Sequence, residues 1–238
     1  MVKKRSTCRL CDSKDLNLLI KMPEMPPVDN YRRMGESEIA IPNLPMDLFM
    51  CQACGHAQLL DVVDPNVLFG NYIYTSSSSP DLDDHFSAFV KRMTEYLDLC
   101  GDEKILDIGC NDGSLLDFFR EKGCKTVGIE PTGAANEAAK LHTVIKGFFD
   151  AETAKRCFSS FGFADIITFT NVFAHIGDLP RLIDNLKSIM SDRTVLIIEN
   201  HYLGDILDRG QFDTFRSPTY ELHFSLNLCI FFENLRVR

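Results

Sequence analysis

The chain has 238 residues, of which 45% are hydrophobic and 25% charged, and a formal net charge of −9. That mixture belongs to a folding globular chain and excludes a wholly disordered one. The acidic balance works against a phosphate-tracking surface, so nucleic acid is not an expected partner, and no apolar run is long enough to cross a bilayer.

Lys3, Lys4 and Arg5 are followed by polar residues rather than an apolar stretch, so the start does not read as a signal peptide and the expected location is the cytoplasm. Residues 1–62 form the first predicted domain, turn-rich and poor in helix because Pro23, Pro26, Pro27, Pro42 and Pro45 interrupt it. Residues 63–100 form a connector: an aromatic loop with Tyr72 and Tyr74, then the Ser76 to Ser79 run, Pro80 and a helix. In that helix Phe86, Phe89, Val90, Met93, Tyr96 and Leu97 fall on one face, and Asp81 or Asp83 is the expected cap. From residue 101 to 238 short apolar strands alternate with helices, the pattern of a parallel sheet wrapped by helices. Strands are predicted near 104–108, 125–130, 143–147, 165–169 and 194–199. Helices are predicted over Leu115–Glu121, Ala134–Leu141, Ala151–Phe158 and Leu179–Met190, and a last helical pattern runs through Leu226, Cys229, Ile230, Phe232 and Leu235.

Nine cysteines without an export signal point to metal binding or buried thiols rather than disulfides. Cys8, Cys11, Cys51 and Cys54 form two C-x-x-C pairs. Each such turn presents two thiolates to one ion, and two turns complete the closed tetrahedral shell that structural zinc prefers. His56 is a spare ligand. The scattered Cys100, Cys110, Cys124, Cys157 and Cys229 read as small buried hydrophobes.

The second motif runs from Ile105 to Leu116: an apolar strand, the loop Asp107-Ile-Gly109-Cys110-Asn111-Asp-Gly113, then a helix. Glycines there would let the backbone approach a nucleotide-like ligand. A dinucleotide fingerprint counted from Gly109 would need glycine where Asn111 and Ser114 stand, which disfavours a nicotinamide cofactor. The next strand ends at Glu130, whose carboxylate is placed to accept hydrogen bonds from both ribose hydroxyls. Glu199, ending the fifth strand, reads as a capping acid rather than a catalytic one.

Taken in order, Cys8/Cys11, Cys51/Cys54, Asp107 to Gly113, Asn171-Val-Phe-Ala-His-Ile176 and Gln211-Phe-Asp-Thr214 resemble the zinc-containing sugar C-methyltransferases, which act on nucleotide-linked deoxy-keto-sugars. The resemblance covers nearly the whole chain. It implies a Rossmann-like class I methyltransferase sheet, S-adenosylmethionine and zinc as cofactors, and a nucleotide-sugar substrate. It also implies that Asp107 and the glycine loop lie near the methionine moiety, Glu130 on the ribose, and Asp150 and Asn171 beside the adenine or methyl donor. On the acceptor side it implies His223 as base, Tyr74 and Tyr220 as donors or orienters, His175 as second base or substrate contact, and Glu221 near them. Removing a proton beside a ketone needs such a base, and the developing enolate oxygen needs donors. O- or N-methylation of another small molecule is the nearest alternative, and a non-catalytic zinc- and cofactor-binding scaffold is another. Two departures stand out. The family reads Tyr-His-Glu-His where this chain has Tyr220-Glu-Leu-His223, and family members continue past residue 238 with further strands and a further domain. The sheet is therefore expected to lack its last strands, leaving the fifth as an open edge for self-association.

Overall fold

The computed structural model describes residues 2–26, 43–70, 72–210, 221–222 and 230–233. In chain order the elements are β1 (Val2–Lys4), β2 (Leu16–Ile20), β3 (Leu48–Cys51), β4 (Ala57–Leu59), β5 (Asp61–Val63), α1 (Pro65–Phe69), α2 (Pro80–Leu97), β6 (Lys104–Ile108), α3 (Ser114–Glu121), β7 (Lys125–Glu130), α4 (Ala135–Ala138), β8 (Thr143–Lys146), α5 (Ala151–Phe161), β9 (Ala164–Thr170), α6 (Leu179–Lys187), β10 (Met190–Glu199), α7 (Leu203–Asp208), β11 (Glu221–Leu222) and β12 (Ile230–Glu233). Short 3-10 turns occupy Ser76–Ser78 and Phe173–His175. The chain divides into two compact units, one from Met1–Tyr72, Phe173–Pro180 and Asn200–Leu228, the other from Ile73–Val172, Arg181–Glu199 and Cys229–Arg238.

The first unit holds an antiparallel sheet in the order β11-β4-β3-β2, and β1 pairs with β5. Met46, Leu48, Ala57 and Leu59 meet Leu203 and Ile206 of α7 in its core.

The second unit is a six-stranded sheet in the order β12-β10-β9-β6-β7-β8, parallel except for the β12–β10 pair. Strands covered on both faces are buried along most of their length, as β6 and β9 are. On one face Ile105, Ile166 and Ile197 pack under Phe86, Phe89, Val90 and Met93 of α2 and Leu115, Leu116 and Phe119 of α3. Connections leave β6 and β9 toward opposite ends of the sheet, so the carboxyl ends of these neighbours make the crevice in which open α/β sheets bind ligands.

Four expectations are corrected. Neither Asp81 nor Asp83 caps α2: Ser79 holds the cap position, Pro80 opens the helix, and both aspartates sit in the first turn, where they still face the positive end of the helix dipole. The helix expected over Ala134–Leu141 keeps only Ala135–Ala138, because the chain tightens into turns that fold His142 back onto the Ala138 carbonyl. Met190 opens β10 rather than closing α6, pairing in register with Ala164. Ile230–Glu233 is a strand, not part of a helix; it pairs antiparallel with β10, Val195 opposite Glu233 and Ile198 opposite Ile230. Short apolar runs carry both periodicities, and the ladder offered by β10 decides between them. The fifth parallel strand is thus covered, and the expected open edge, with the self-association built on it, loses its basis. The rest of that predicted helix and the Gln211–Thr214 motif lie outside the described residues. Among the described residues no helix is long and apolar enough to cross a membrane.

A methyl group at Gly128 in β7 would collide with the Cys110 sulfur. Gly128→Ala should therefore lower unfolding free energy by about 1–3 kcal/mol, as overpacking does. In urea titrations the double variant with Cys110→Ala should recover most of that loss.

Candidate functional site

The β2–β3 pairing sets Leu16 opposite Cys51 and so carries the first C-x-x-C turn to the second. The Cys8 and Cys54 sulfurs lie 3.7 Å apart and those of Cys11 and Cys51 3.6 Å apart, with all four within 4.8 Å of one another. A zinc ion with bonds of about 2.3 Å to a tetrahedron of sulfurs spaces them by about 3.8 Å, so the four residues fit the metal. Local backbone prepares the turns. Leu10 N–H points at Cys8 Sγ at 3.4 Å, and Asp12 and Gly55 take left-handed conformations that close the two knuckles. Burial opposes ionisation of Cys51, but the N–H groups of Cys54 and Ala53 overcome it and bring the thiol down to about 7; burial pushes Cys54 up to about 12. Four thiolates this close require a dication. His56 is buried in the same unit but is not part of the four-sulfur group.

In the second unit the loop after β6 is held from three sides. Gly109 N–H donates to the Ile129 carbonyl at 2.8 Å, while Glu130 accepts from Asn111 N–H through Oε2 at 2.9 Å and from Thr132 N–H through Oε1 at 2.8 Å. From the solvent side, Asn111 Oδ1 accepts from Ser76 N–H, Asn111 Nδ2 donates to the Tyr74 carbonyl, and Asp112 Oδ2 accepts from Ser77 N–H, all at 2.9–3.1 Å. The serine run is thus a turn docked on the loop, and Asn111, left-handed at φ 51°, uses its side chain to clamp it. The glycines matter for a reason other than the one expected. A side chain at Gly109 (φ 78°) would strike Val172, and one at Gly113 (φ 88°) would strike His142, so protein rather than ligand forbids a Cβ there. His142, which sequence reasoning missed, lies behind the loop with its side chain 1% exposed and Nδ1 2.8 Å from Thr126 Oγ1.

Asp107 and Glu130 are both buried, and neither is ion-paired among the described residues. Burial, with the Glu130 charge adding to it and the bond from Thr168 Oγ1 at 2.7 Å opposing it, pushes Asp107 up to about 7. Two buried acids without a cation suit a ligand that carries positive charge and hydroxyl donors, and S-adenosylmethionine carries both. Half of the lone-pair positions on Glu130 remain after its two backbone bonds.

The other predicted residues fall as follows. Cys110 points into the core, where burial raises its thiol far above the ordinary range, so only its backbone can face a ligand. Asp150 caps α5, bonded to Thr153 N–H at 2.9 Å in a capping box. Asn171 follows β9 in a left-handed conformation, its N–H on the Glu199 carbonyl. Tyr74 is partly exposed, with burial and then the Asp112 charge raising its phenol. In the first unit His175 sits edge-on to Phe69, burial followed by the His201 charge brings it down to about 4, and β11 with Glu221 runs beside its turn. Tyr220 and His223 lie outside the described residues.

Two measurements check the two centres. Cys51→Ser or a strong chelator should remove about one equivalent of zinc and lower the thermal midpoint, read by metal analysis and circular dichroism. Asp107 keeps its proton to about pH 7 in the folded chain but only to 3.8 when unfolded. Between those values the folded state binds more protons, so its contribution, full below pH 4, is lost as pH rises to 7, up to roughly 4 kcal/mol. Asp107→Asn should flatten that slope in urea titrations of the ligand-free protein.

Residues 81–226 match the model of the family described as "Methyltransferase domain", and residues 8–69 that described as "Putative zinc binding domain". The C-methyltransferase NovU of Streptomyces niveus is 28% identical over 238 residues, which cover 97% of this chain and 56% of that protein. A ubiquinone biosynthesis O-methyltransferase of Histophilus somni is 24% identical over 170 residues, 56% of this chain and 70% of that one. A solved methyltransferase from Archaeoglobus fulgidus is 21% identical, with a TM-score of 0.47 over 59% of this chain and 62% of that one. The chain spans little more than half the length of NovU. The expected methyltransferase domain and N-terminal zinc-binding module stand with the family matches and the four-sulfur cluster. The chain belongs to the methyltransferase-domain family and carries an N-terminal zinc-binding module.

Proposed function

We propose that the protein methylates carbon on a nucleotide-linked deoxy-keto-sugar, through an enolate made by a protein base. The observation that carries this reading is the combination, in one chain, of a four-thiol centre and a methyltransferase domain, aligned along 97% of its length with a protein named as a C-methyltransferase. The proposed organisation is a zinc-binding domain over residues 1–62, a connector over 63–100 and the methyltransferase domain over 101–238. The reduced thiols fit a cytoplasmic location.

When bound, S-adenosylmethionine supplies a methyl group on a positively charged sulfur. Glu130 would hold the ribose hydroxyls with its remaining lone pairs, and Asp107 with the Gly109–Gly113 backbone would face the methionine part. Asp150 and Asn171 would lie beside the adenine or the donor, and Cys8, Cys11, Cys51 and Cys54 would hold zinc. On the acceptor, His223 takes the base role and His175 is second to it. A histidine held at about 4 is neutral at physiological pH but a weak proton acceptor, which disfavours His175. Tyr74 and Tyr220 would donate to the enolate oxygen, and Glu221 is a further candidate on the acceptor side. Methylation of oxygen is the second reading, supported by the similarity to ubiquinone biosynthesis O-methyltransferases; that similarity covers 40–56% of the chain.

Calorimetry should show S-adenosylmethionine binding, weakened about 10–100-fold by Glu130→Ala. Because a cation beside Asp107 favours its ionised form, binding at pH 6.5 should release protons, seen as a heat that depends on the buffer. Incubation with a panel of nucleotide-linked keto-sugars should yield a product heavier by one methylene, the new methyl on carbon by NMR. A methyl on oxygen would select the second reading, and no binding of S-adenosylmethionine would defeat both.

A further inference from the structure

A third histidine, absent from the assignment above, has the oriented geometry of a working base. His85 on α2 places Nε2 2.8 Å from Oε2 of Glu199, the last residue of β10. An ionised carboxylate only accepts, so Nε2 carries the hydrogen and the lone pair lies on Nδ1. A base held by an acid in one tautomer is the arrangement that activates catalytic histidines. The ring rests near Phe86 and Phe89, at 5.9 and 6.4 Å between centroids. His85 is 39% exposed and Glu199 21%, so the pair is reachable while the ring stays fixed.

The strand register says where this pair stands. Register partners on neighbouring strands share a face of the sheet. Under α2 the first row is apolar, with Ile105 beside Ile166 and Ile166 beside Val195. The next row, toward the carboxyl ends, is Asp107 beside Thr168 and Thr168 beside Ile197, and the last sets Thr170 beside Glu199. Polarity therefore rises along one face toward the crevice edge, from an apolar floor through the Asp107–Thr168 bond to Glu199 and His85. In the last row Thr170 Oγ1 is buried and has no hydrogen-bond partner among the described residues. An unpaired buried hydroxyl is costly, and a polar group of a bound acceptor would satisfy it.

We infer that His85, oriented by Glu199, is an acid–base group for the methyl acceptor at the carboxyl edge of the sheet, with Thr170 a hydrogen-bonding contact beside it. Nδ1 takes the proton from the acceptor; the electron pair left behind forms the new bond to the methyl carbon, and the sulfur keeps the pair of the bond that breaks. The proton then passes from the half-exposed imidazole to water. The inference rests on the methyltransferase reading but not on the identity of the acceptor, and it gives His85 the base role assigned above to His223. Glu199 faces the ring from β10, and Asp81 is one turn earlier on its own helix.

The test has two arms on the full chain. In the first, the His85 ring proton, assigned with His85→Gln, is titrated by NMR with S-adenosylmethionine and with S-adenosylhomocysteine. A sulfonium bound at this edge of the sheet should lower the His85 pKa by about half a unit relative to the uncharged thioether. Equal values overturn the inference whatever the acceptor. In the second, deuterium exchange and methylation of nucleotide-linked keto-sugars are followed in the wild type, His85→Gln, Glu199→Gln and His223→Ala. His85→Gln should lose about 10²–10⁴-fold in exchange and kcat with cofactor affinity unchanged. Glu199→Gln should lose less and shift the pH profile to lower values. Exchange intact in His85→Gln but lost in His223→Ala overturns the inference. If no keto-sugar reacts while the first arm shows the difference, the substrate reading fails and the role of His85 stands.

Discussion

Glu130 is the residue on which the loop after β6 depends. Its carboxylate ends β7 in a buried position and takes one N–H from the loop after β6 and one from its own following turn. A buried charge survives only where hydrogen bonds replace water, and two backbone donors do part of that work. Fixing Asn111 at the backbone frees its amide to hold the Tyr74–Ser76 segment. Loop and covering turn are therefore one assembly, anchored on the tip of the neighbouring strand. Asp107 adds a second buried acid near the carboxyl end of β6.

The zinc module meets the same electrostatic problem with thiols in place of carboxyls. Four thiols whose sulfurs crowd within 4.8 Å cannot all ionise without a metal. Antiparallel pairing of β2 with β3 brings together cysteines some 40 positions apart, and the left-handed knuckle residues aim them inward. Arg9, buried between the cysteines of the first knuckle, ties the turn to β4 through its backbone N–H on Gln58 and its guanidinium on the Leu59 carbonyl. Metal and sheet thereby support each other, which is why a small module with little apolar core can hold its shape.

Much of this was legible in the chain. The parallel strands, the loop Asp107–Gly113, the acid at Glu130 and the two cysteine pairs are encoded by contiguous apolar runs and fixed spacings, and local sequence determines such features because strand period and turn chemistry act over a few residues. Adjacent β6 and β7 then place Glu130 beside the loop with no long-range choice to make.

What lay outside local sequence was decided by partners far along the chain. Ile230–Glu233 became a strand because β10 offered an unpaired ladder. Cys110 turned inward because Gly128, on the next strand, left room for a sulfur. The bond between His85 and Glu199 joins residues 114 positions apart, and nothing in the spacing of either announces it. Sequence determined the elements and their chemical inventory; tertiary structure decided which acid meets which base, because burial and hydrogen-bond satisfaction are properties of neighbours in space.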